Sequence, residues 1–150
     1  MKLLFFCMGN ICRSPVVAEI VRARSARAGL DIAVDSAGTE DYHVGEPADR
    51  RAIASAAAAG YDIRAHRARQ LGPADFSAFD RLFAMDRVNL RAARRHGSAD
   101  RLELFLPGAG VSGEIEVPDP YYGGDADFRR VIELAELGAD ALIARLLEGA

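Results

Sequence analysis

The sequence predicts a single α/β domain over residues 1–150: a four-stranded parallel sheet with helices on both faces and an anion-binding loop between the first strand and the first helix. Three observations predict it. Short apolar runs of strand length alternate along the chain with segments whose apolar residues recur at helical spacing, the order that yields a parallel sheet. The first run, Leu3-Leu4-Phe5-Phe6, passes through Cys7-Met8-Gly9-Asn10-Ile11-Cys12-Arg13-Ser14-Pro15 directly into the helical pattern Val16-Val17-Ala18-Glu19-Ile20-Val21. The length of 150 residues, with 50% hydrophobic and 27% charged, is that of one globular domain able to bury a proper core.

Each element follows in turn. Ser14 is a preferred helix N-cap and Pro15 suits the first helical position, where a missing N–H costs nothing. The first helix is expected from Pro15 to Ala28, with Val16, Val17, Ile20 and Val21 inward and Gly29 ending it in a left-handed conformation. Asp31 to Asp35 carries the short second strand, completing a right-handed β–α–β crossover, and Ser36-Ala37-Gly38 then leaves the sheet. Thr39 to Glu46 is a loop where the strands end, the side on which open parallel sheets bind ligands. Pro47 opens a helix that runs to Gly60, its small face of Ala52, Ile53, Ala56 and Ala57 suited to packing on the sheet. Ile63 to Leu71 is irregular and arginine-rich. A short helix over Ala74 to Ala78 precedes a third strand at Asp80 to Met85, buried on both faces. A helix from Val88 to His96, closed by Gly97, leads to the fourth strand, Arg101 to Phe105. Pro107 to Gly113, with three glycines, reads as a flexible loop, and Asp125 to Glu148 as the final amphipathic helix.

The loop after the first strand carries the chemistry. Free N–H groups at a helix start and the positive end of the helix dipole converge on one spot, a ready anion site. Five residues between Cys7 and Arg13 suffice to curl the backbone into a nest of donors, with the sulfur at its floor and the guanidinium at one side. Phosphate fits such a nest, because Arg13 can grip two of its oxygens through a planar fork. The same field lowers the pKa of a cysteine at such a position to about 3.5–7.5, so Cys7 is expected to be an ionised nucleophile. Taken singly, a cysteine at a strand end is a small buried hydrophobe and Gly9-Asn10 is turn chemistry. Their combination with Arg13 and Ser14, between a buried strand and a capped helix, reverses that balance.

Cys7-Met8-Gly9-Asn10-Ile11-Cys12-Arg13-Ser14 resembles the phosphate loop of the low-molecular-weight protein tyrosine phosphatases. The likeness continues through Asp35-Ser36-Ala37-Gly38-Thr39, through His66-Arg67-Ala68-Arg69-Gln70 and to Asp119-Pro120-Tyr121-Tyr122-Gly123, so it spans nearly the whole chain. Met8 stands where leucine is often found, a change of little consequence if its backbone N–H is the useful part. The resemblance implies hydrolysis of phosphotyrosine through a cysteinyl phosphate, with Cys7 as nucleophile and residues 8–14 around the phosphate. It implies that Ser36 and His66 support the loop through Asn10, and that Ser14 donates a hydrogen bond to the sulfur. Tyr42 is either a wall aromatic or an exposed loop tyrosine without a role; the matching family position stacks on the substrate ring. Cys12 is either a packing residue or, under oxidation, a disulfide partner that shields Cys7.

A leaving phenoxide needs a proton that an attacking thiolate does not have, so a separate acid is required. Asp119, next to Pro120 and two tyrosines, is that acid, with Asp86 and Asp41 as weaker rivals; Tyr121 and Tyr122 then line the pocket edge. Arsenate reduction, known on the same scaffold, needs cysteines beyond Cys7 and Cys12. Phosphoarginine phosphatases carry threonine where this chain has Ile11, and the isoleucine favours a flat phenyl ring. A non-catalytic anion-binding or redox-sensing module keeps the nest but has no need of Asp119.

The remaining features narrow the setting. A net charge of −3 gives no global field for nucleic acid or acidic membranes, although arginine outnumbers lysine eighteen to one. No stretch has the length of a membrane span or a signal peptide, so a cytoplasmic location is expected. Two cysteines and three histidines lack zinc-site spacing; neither metal nor other cofactor is expected. The implied partner is a phosphotyrosine-bearing protein, a bacterial tyrosine kinase being one such, and the chain itself is expected to be a monomer or weak dimer.

Overall fold

A computed structural model describes residues 1–149. The elements run β1 (Lys2–Cys7), α1 (Ser14–Arg27), β2 (Ala33–Gly38), α2 (Arg50–Ala58), α3 (Asp75–Ala78), β3 (Arg81–Ala84), α4 (Arg87–Ala93), β4 (Leu102–Leu104), α5 (Phe105–Ala109) and α6 (Asp125–Glu148). The four strands form one parallel sheet in the order β2-β1-β3-β4, the α/β class and strand count expected from the sequence. The chain leaves β1 to one side for β2 and later returns to its other side for β3. The strand order thus reverses at β1, and the crevice at its carboxyl end is where such sheets bind ligands.

Strand β1 is buried on both faces because successive side chains point to opposite sides of the sheet. Leu3, Phe5 and Cys7 join the core under α1, α5 and α6, while Leu4 and Phe6 meet Leu71, Phe79, Leu82 and Ala93 on the other side. Phe5 stacks on Phe83 with ring centroids 5.3 Å apart, and Phe105 meets both rings edge-on. Full burial of each such side chain contributes about 1.5–3 kcal/mol, so β1 is anchored firmly at the strand that carries Cys7. Val16, Val17, Ile20 and Val21 of α1 are buried as the spacing predicts, and Gly29 follows with φ +76°.

Several boundaries differ from expectation. Ser14 does not cap α1: it is the first helical residue, Arg13 stands at the cap, and the Ser14 hydroxyl is engaged elsewhere. Strand β2 runs on to Gly38, since Ser36, Ala37 and Gly38 pair with Phe5, Phe6 and Cys7 instead of leaving the sheet. Helix α2 starts at Arg50 and not at Pro47, because the Asp49 carboxylate accepts from the Arg51 N–H at 2.8 Å and sets the start. It packs chiefly against α6, with Ala52 and Ala56 buried and Ala57 exposed. Helix α4 ends at Ala93, before His96, whose ring nitrogen bonds the Thr39 carbonyl at 2.9 Å. The stretch expected to be a flexible loop begins in α5, where burial of Phe105, Leu106 and Ala109 outweighs the helix-weakening Pro107 and Gly108; Gly110, at φ +105°, closes it.

Candidate active site

Cys7 is the last residue of β1, so its sulfur lies at the carboxyl edge of the sheet, under the loop that leads into α1. The loop is pinned at both ends of its course: Met8 O accepts from Glu40 N at 3.0 Å and Ile11 O from Asp49 N at 2.9 Å. Asn10 is the residue that turns it. Its φ of +59° is left-handed, a region Asn tolerates better than most side chains. Its buried amide donates to Ser14 Oγ at 2.8 Å and Ser36 Oγ at 2.9 Å, its Oδ1 accepts from the Arg69 N–H at 3.0 Å, and its carbonyl accepts from His66 Nε2 at 2.7 Å. Asn10, Ser14, Ser36 and His66 therefore stand behind the loop as a bonded frame and do not line the cavity in front of it. Gly38 lets β2 approach this closely, since a Cβ there would sit 2.6 Å from the Met8 carbonyl oxygen.

Ser14 links the frame to the sulfur. Its oxygen takes the Asn10 amide proton, which leaves its own proton for Cys7 Sγ at 3.1 Å or the Ala37 carbonyl at 3.4 Å. The shorter contact joins the hydroxyl directly to the sulfur.

Arg13 is buried beside Cys7. Nη1 donates to Asp86 Oδ2 at 2.6 Å and to the Val117 carbonyl at 3.0 Å, while Nη2 stands 3.9 Å from Asp119 Oδ2. Burial works against its charge, but the sulfur of Cys7 and the Asp86 carboxylate outweigh that cost and hold the guanidinium above its ordinary range. Asp86 also caps α4, its Oδ1 accepting from Asn89 N at 2.7 Å. With both oxygens spent, Asp86 serves as the brace of Arg13 and has no free edge for proton transfer. Asp41 is exposed and lies outside the cavity lining. Asp119 lines the cavity with one oxygen held by the Tyr121 N–H at 3.1 Å.

The cavity in front of the loop measures about 240 Å³. Its buried lining is Cys7, Ile11, Cys12 and Arg13, with Gly9 and the exposed Met8 beside them; Tyr42, His43, Asp119, Tyr121 and Tyr122 form the rim. Tyr121 and Tyr122 meet edge-on at 5.0 Å. Cys12 is a free thiol pushed up to about 12 by burial first, and then by the negative charges of Asp49, Cys7 and Asp119. Two cysteines thus share one loop in different surroundings: Cys7 lies against the Ser14 hydroxyl, and Cys12 sits where burial and nearby carboxylates penalise its ionisation. Among the described residues no group of three His, Cys, Asp or Glu side chains is arranged to hold a metal ion.

A family model described as low molecular weight phosphotyrosine protein phosphatase matches residues 2–149. The chain belongs to that family. It is 40% identical to a low molecular weight protein-tyrosine-phosphatase of Streptomyces coelicolor, over 98% of this chain and 94% of that one. Among solved structures it superposes on a protein tyrosine phosphatase from Entamoeba histolytica with a TM-score of 0.93 and 36% identity, covering 99% and 98% of the two chains. A low molecular weight phosphotyrosine phosphatase from Vibrio cholerae gives 0.92 and 35%, covering 100% and 99%.

Within this family member, two site residues were placed only coarsely by the sequence: His43 as part of a loop at the pocket wall, and Asp86 as a weaker rival for the acid. His43 lines the cavity, with Nδ1 2.5 Å from Glu46 Oε2 and its ring so close to Gly9 that a Cβ there would meet Cδ2 at 2.9 Å. Its position next to Tyr42 was the available signal. The role of Asp86 was misread because the contact spans 73 residues and has no local pattern.

Proposed function

We propose that this chain hydrolyses phosphotyrosine in proteins through a cysteinyl-phosphate intermediate. The observation that carries the reading is the convergence of Cys7 Sγ, the Ser14 hydroxyl at 3.1 Å, the buried Arg13 and the Asp119 carboxylate on one small cavity with an aromatic rim. Cavities for drug-sized ligands measure about 300–1,000 Å³, so about 240 Å³ suits a phosphate and a single ring.

In the first step the Cys7 thiolate attacks phosphorus in line. The bond to the tyrosine oxygen breaks, and that oxygen takes a proton from Asp119. The equatorial oxygens lie against the loop N–H groups and Arg13, whose orientation is already fixed by Asp86 and Val117, so no reorganisation is needed as charge moves. In the second step Asp119 takes a proton from water, the oxygen attacks phosphorus, and the Cys7 thiolate leaves with the Ser14 proton directed at it. Covalent catalysis divides one difficult displacement into two easier ones.

Ile11 narrows the cavity with an apolar wall, which supports an aryl over a guanidinium substrate. Two free thiols suit a reducing compartment, the cytoplasm. The partner is a phosphotyrosine-bearing protein, a bacterial tyrosine kinase being one such, met by a monomer or weak dimer.

Phosphate release from phosphotyrosine, phosphoarginine and phosphoserine peptides in parallel, with no metal added, tests the reading. Preference for phosphotyrosine that vanishes in Cys7→Ser is expected. Preference for phosphoarginine overturns the argument from Ile11, and no turnover at all moves the chain to the binding or sensing class.

A further inference from the structure

Next to the cavity in front of the loop lies a second, wider depression of about 720 Å³ between α2 and α6, lined by Arg50, Arg51, Ser55 and Arg129 together with the carboxylates of Asp49 and Asp125. Arg51 is the partition between the two. Its guanidinium stands 5.4 Å from the Tyr121 ring, which lines the cavity, and 4.6 Å from the Phe128 ring. Asp49 fixes it there through contacts of 3.1 and 3.0 Å and is thereby spent. Arg50 and Arg129 are exposed and have no acidic partner within 4.0 Å among the described residues, whereas neighbouring Arg130 is paired with Glu114 and Glu133. Two unpaired guanidiniums thus face one groove beside the site, on a chain whose net charge is −3.

We propose that this groove takes a carboxylate of the substrate protein, an aspartate or glutamate about two to four residues from the phosphotyrosine, and so selects acidic sequences. The inference rests on the phosphotyrosine reading above. An extended chain advances about 3.3 Å per residue, so a segment whose phosphotyrosine fills the cavity crosses the Arg51–Tyr121 partition within that span. The planar fork of arginine matches a carboxylate, and Arg50 and Arg129 have theirs unoccupied. The groove is open to solvent, so the attraction is a modest, screened one that acts on the association of substrate.

Phosphotyrosine peptides carrying three glutamates on the amino or the carboxyl side, with glutamine counterparts, test this at low salt. Wild type should use one glutamate peptide about fivefold better in kcat/KM than its glutamine twin, through KM, with the advantage shrinking as salt rises. The double variant Arg50→Glu with Arg129→Glu should lose that preference and favour a lysine-flanked peptide, while hydrolysing p-nitrophenyl phosphate as wild type does. A reversed preference is a result that poor folding does not mimic. Equal use of glutamate and glutamine peptides by wild type, or a preference that survives the double variant, overturns the inference alone. Failure of wild type to hydrolyse p-nitrophenyl phosphate overturns the phosphatase reading and this inference with it.

Discussion

Behind the loop after β1 the side-chain amide and the backbone carbonyl of Asn10 are buried and bonded, to Ser14, Ser36, Arg69 and His66, whereas across the same cavity Tyr42 and Tyr122 stand 67% and 95% exposed. Between them lie two aspartates that look alike in sequence and differ in placement. Asp86 is half-buried with both oxygens spent on Arg13 and the α4 cap, and Asp119 keeps one edge open to the cavity. The difference separates two tasks. Groups that hold charge in place are over-determined by bonds, and groups that meet a variable substrate are left free.

If that division is right, damage should fall steeply from the floor to the rim. Cys7→Ser is expected to cost at least about four orders of magnitude in kcat, because the nucleophile and its activating partners act as a unit. Asp119→Asn should lower kcat by about 10²–10⁴-fold for phosphotyrosine. The loss should be smaller for an aryl phosphate whose leaving group needs little protonation, and a leaving-group series reads the contrast directly. Asn10→Gly sharpens the comparison further. Glycine accepts the +59° backbone but strands the Arg69 N–H and the Ser36 hydroxyl, so a loss of about 1–3 kcal/mol in denaturant unfolding is expected.

Cys12 offers a pH test. With its thiol pushed up to about 12 from 9.0, it stays protonated in the fold and should resist iodoacetamide below about pH 9 while Cys7 reacts, as peptide mass spectrometry would show. Because the folded chain keeps that proton after the unfolded chain has lost it, the stability this contributes is intact below about pH 9. It is lost as pH climbs towards 12. Tyr42→Ala should have the smallest effect, a few-fold rise in KM for phosphotyrosine peptides with kcat held, since an exposed aromatic adds contact area and no chemistry.

What could be read in the sequence follows the same line. Local patterns gave the strands, the first and last helices and the loop from Cys7 to Ser14, because strand–loop–helix turns are written in adjacent residues. The brace of Arg13 by Asp86 was not legible, since it joins positions 73 residues apart, and neither was α5, whose burial under α6 overrides its proline and glycines. Ser14 resembled a cap by type, yet a tertiary demand, the bonds to Asn10 and Cys7, claimed its hydroxyl. Tyr42 was open between two readings, and the structure puts its ring at the cavity rim.

Rapid acid quench of wild type during turnover of a phosphotyrosine peptide, followed by mass spectrometry of the peptide holding Cys7 and Cys12, tests the central claim most directly. A phosphoryl group on Cys7, more abundant in Asp119→Asn with an activated aryl phosphate because its hydrolysis lacks a base, is the predicted result. Phosphate released at full rate with no phosphoryl group on Cys7 at any time would contradict it.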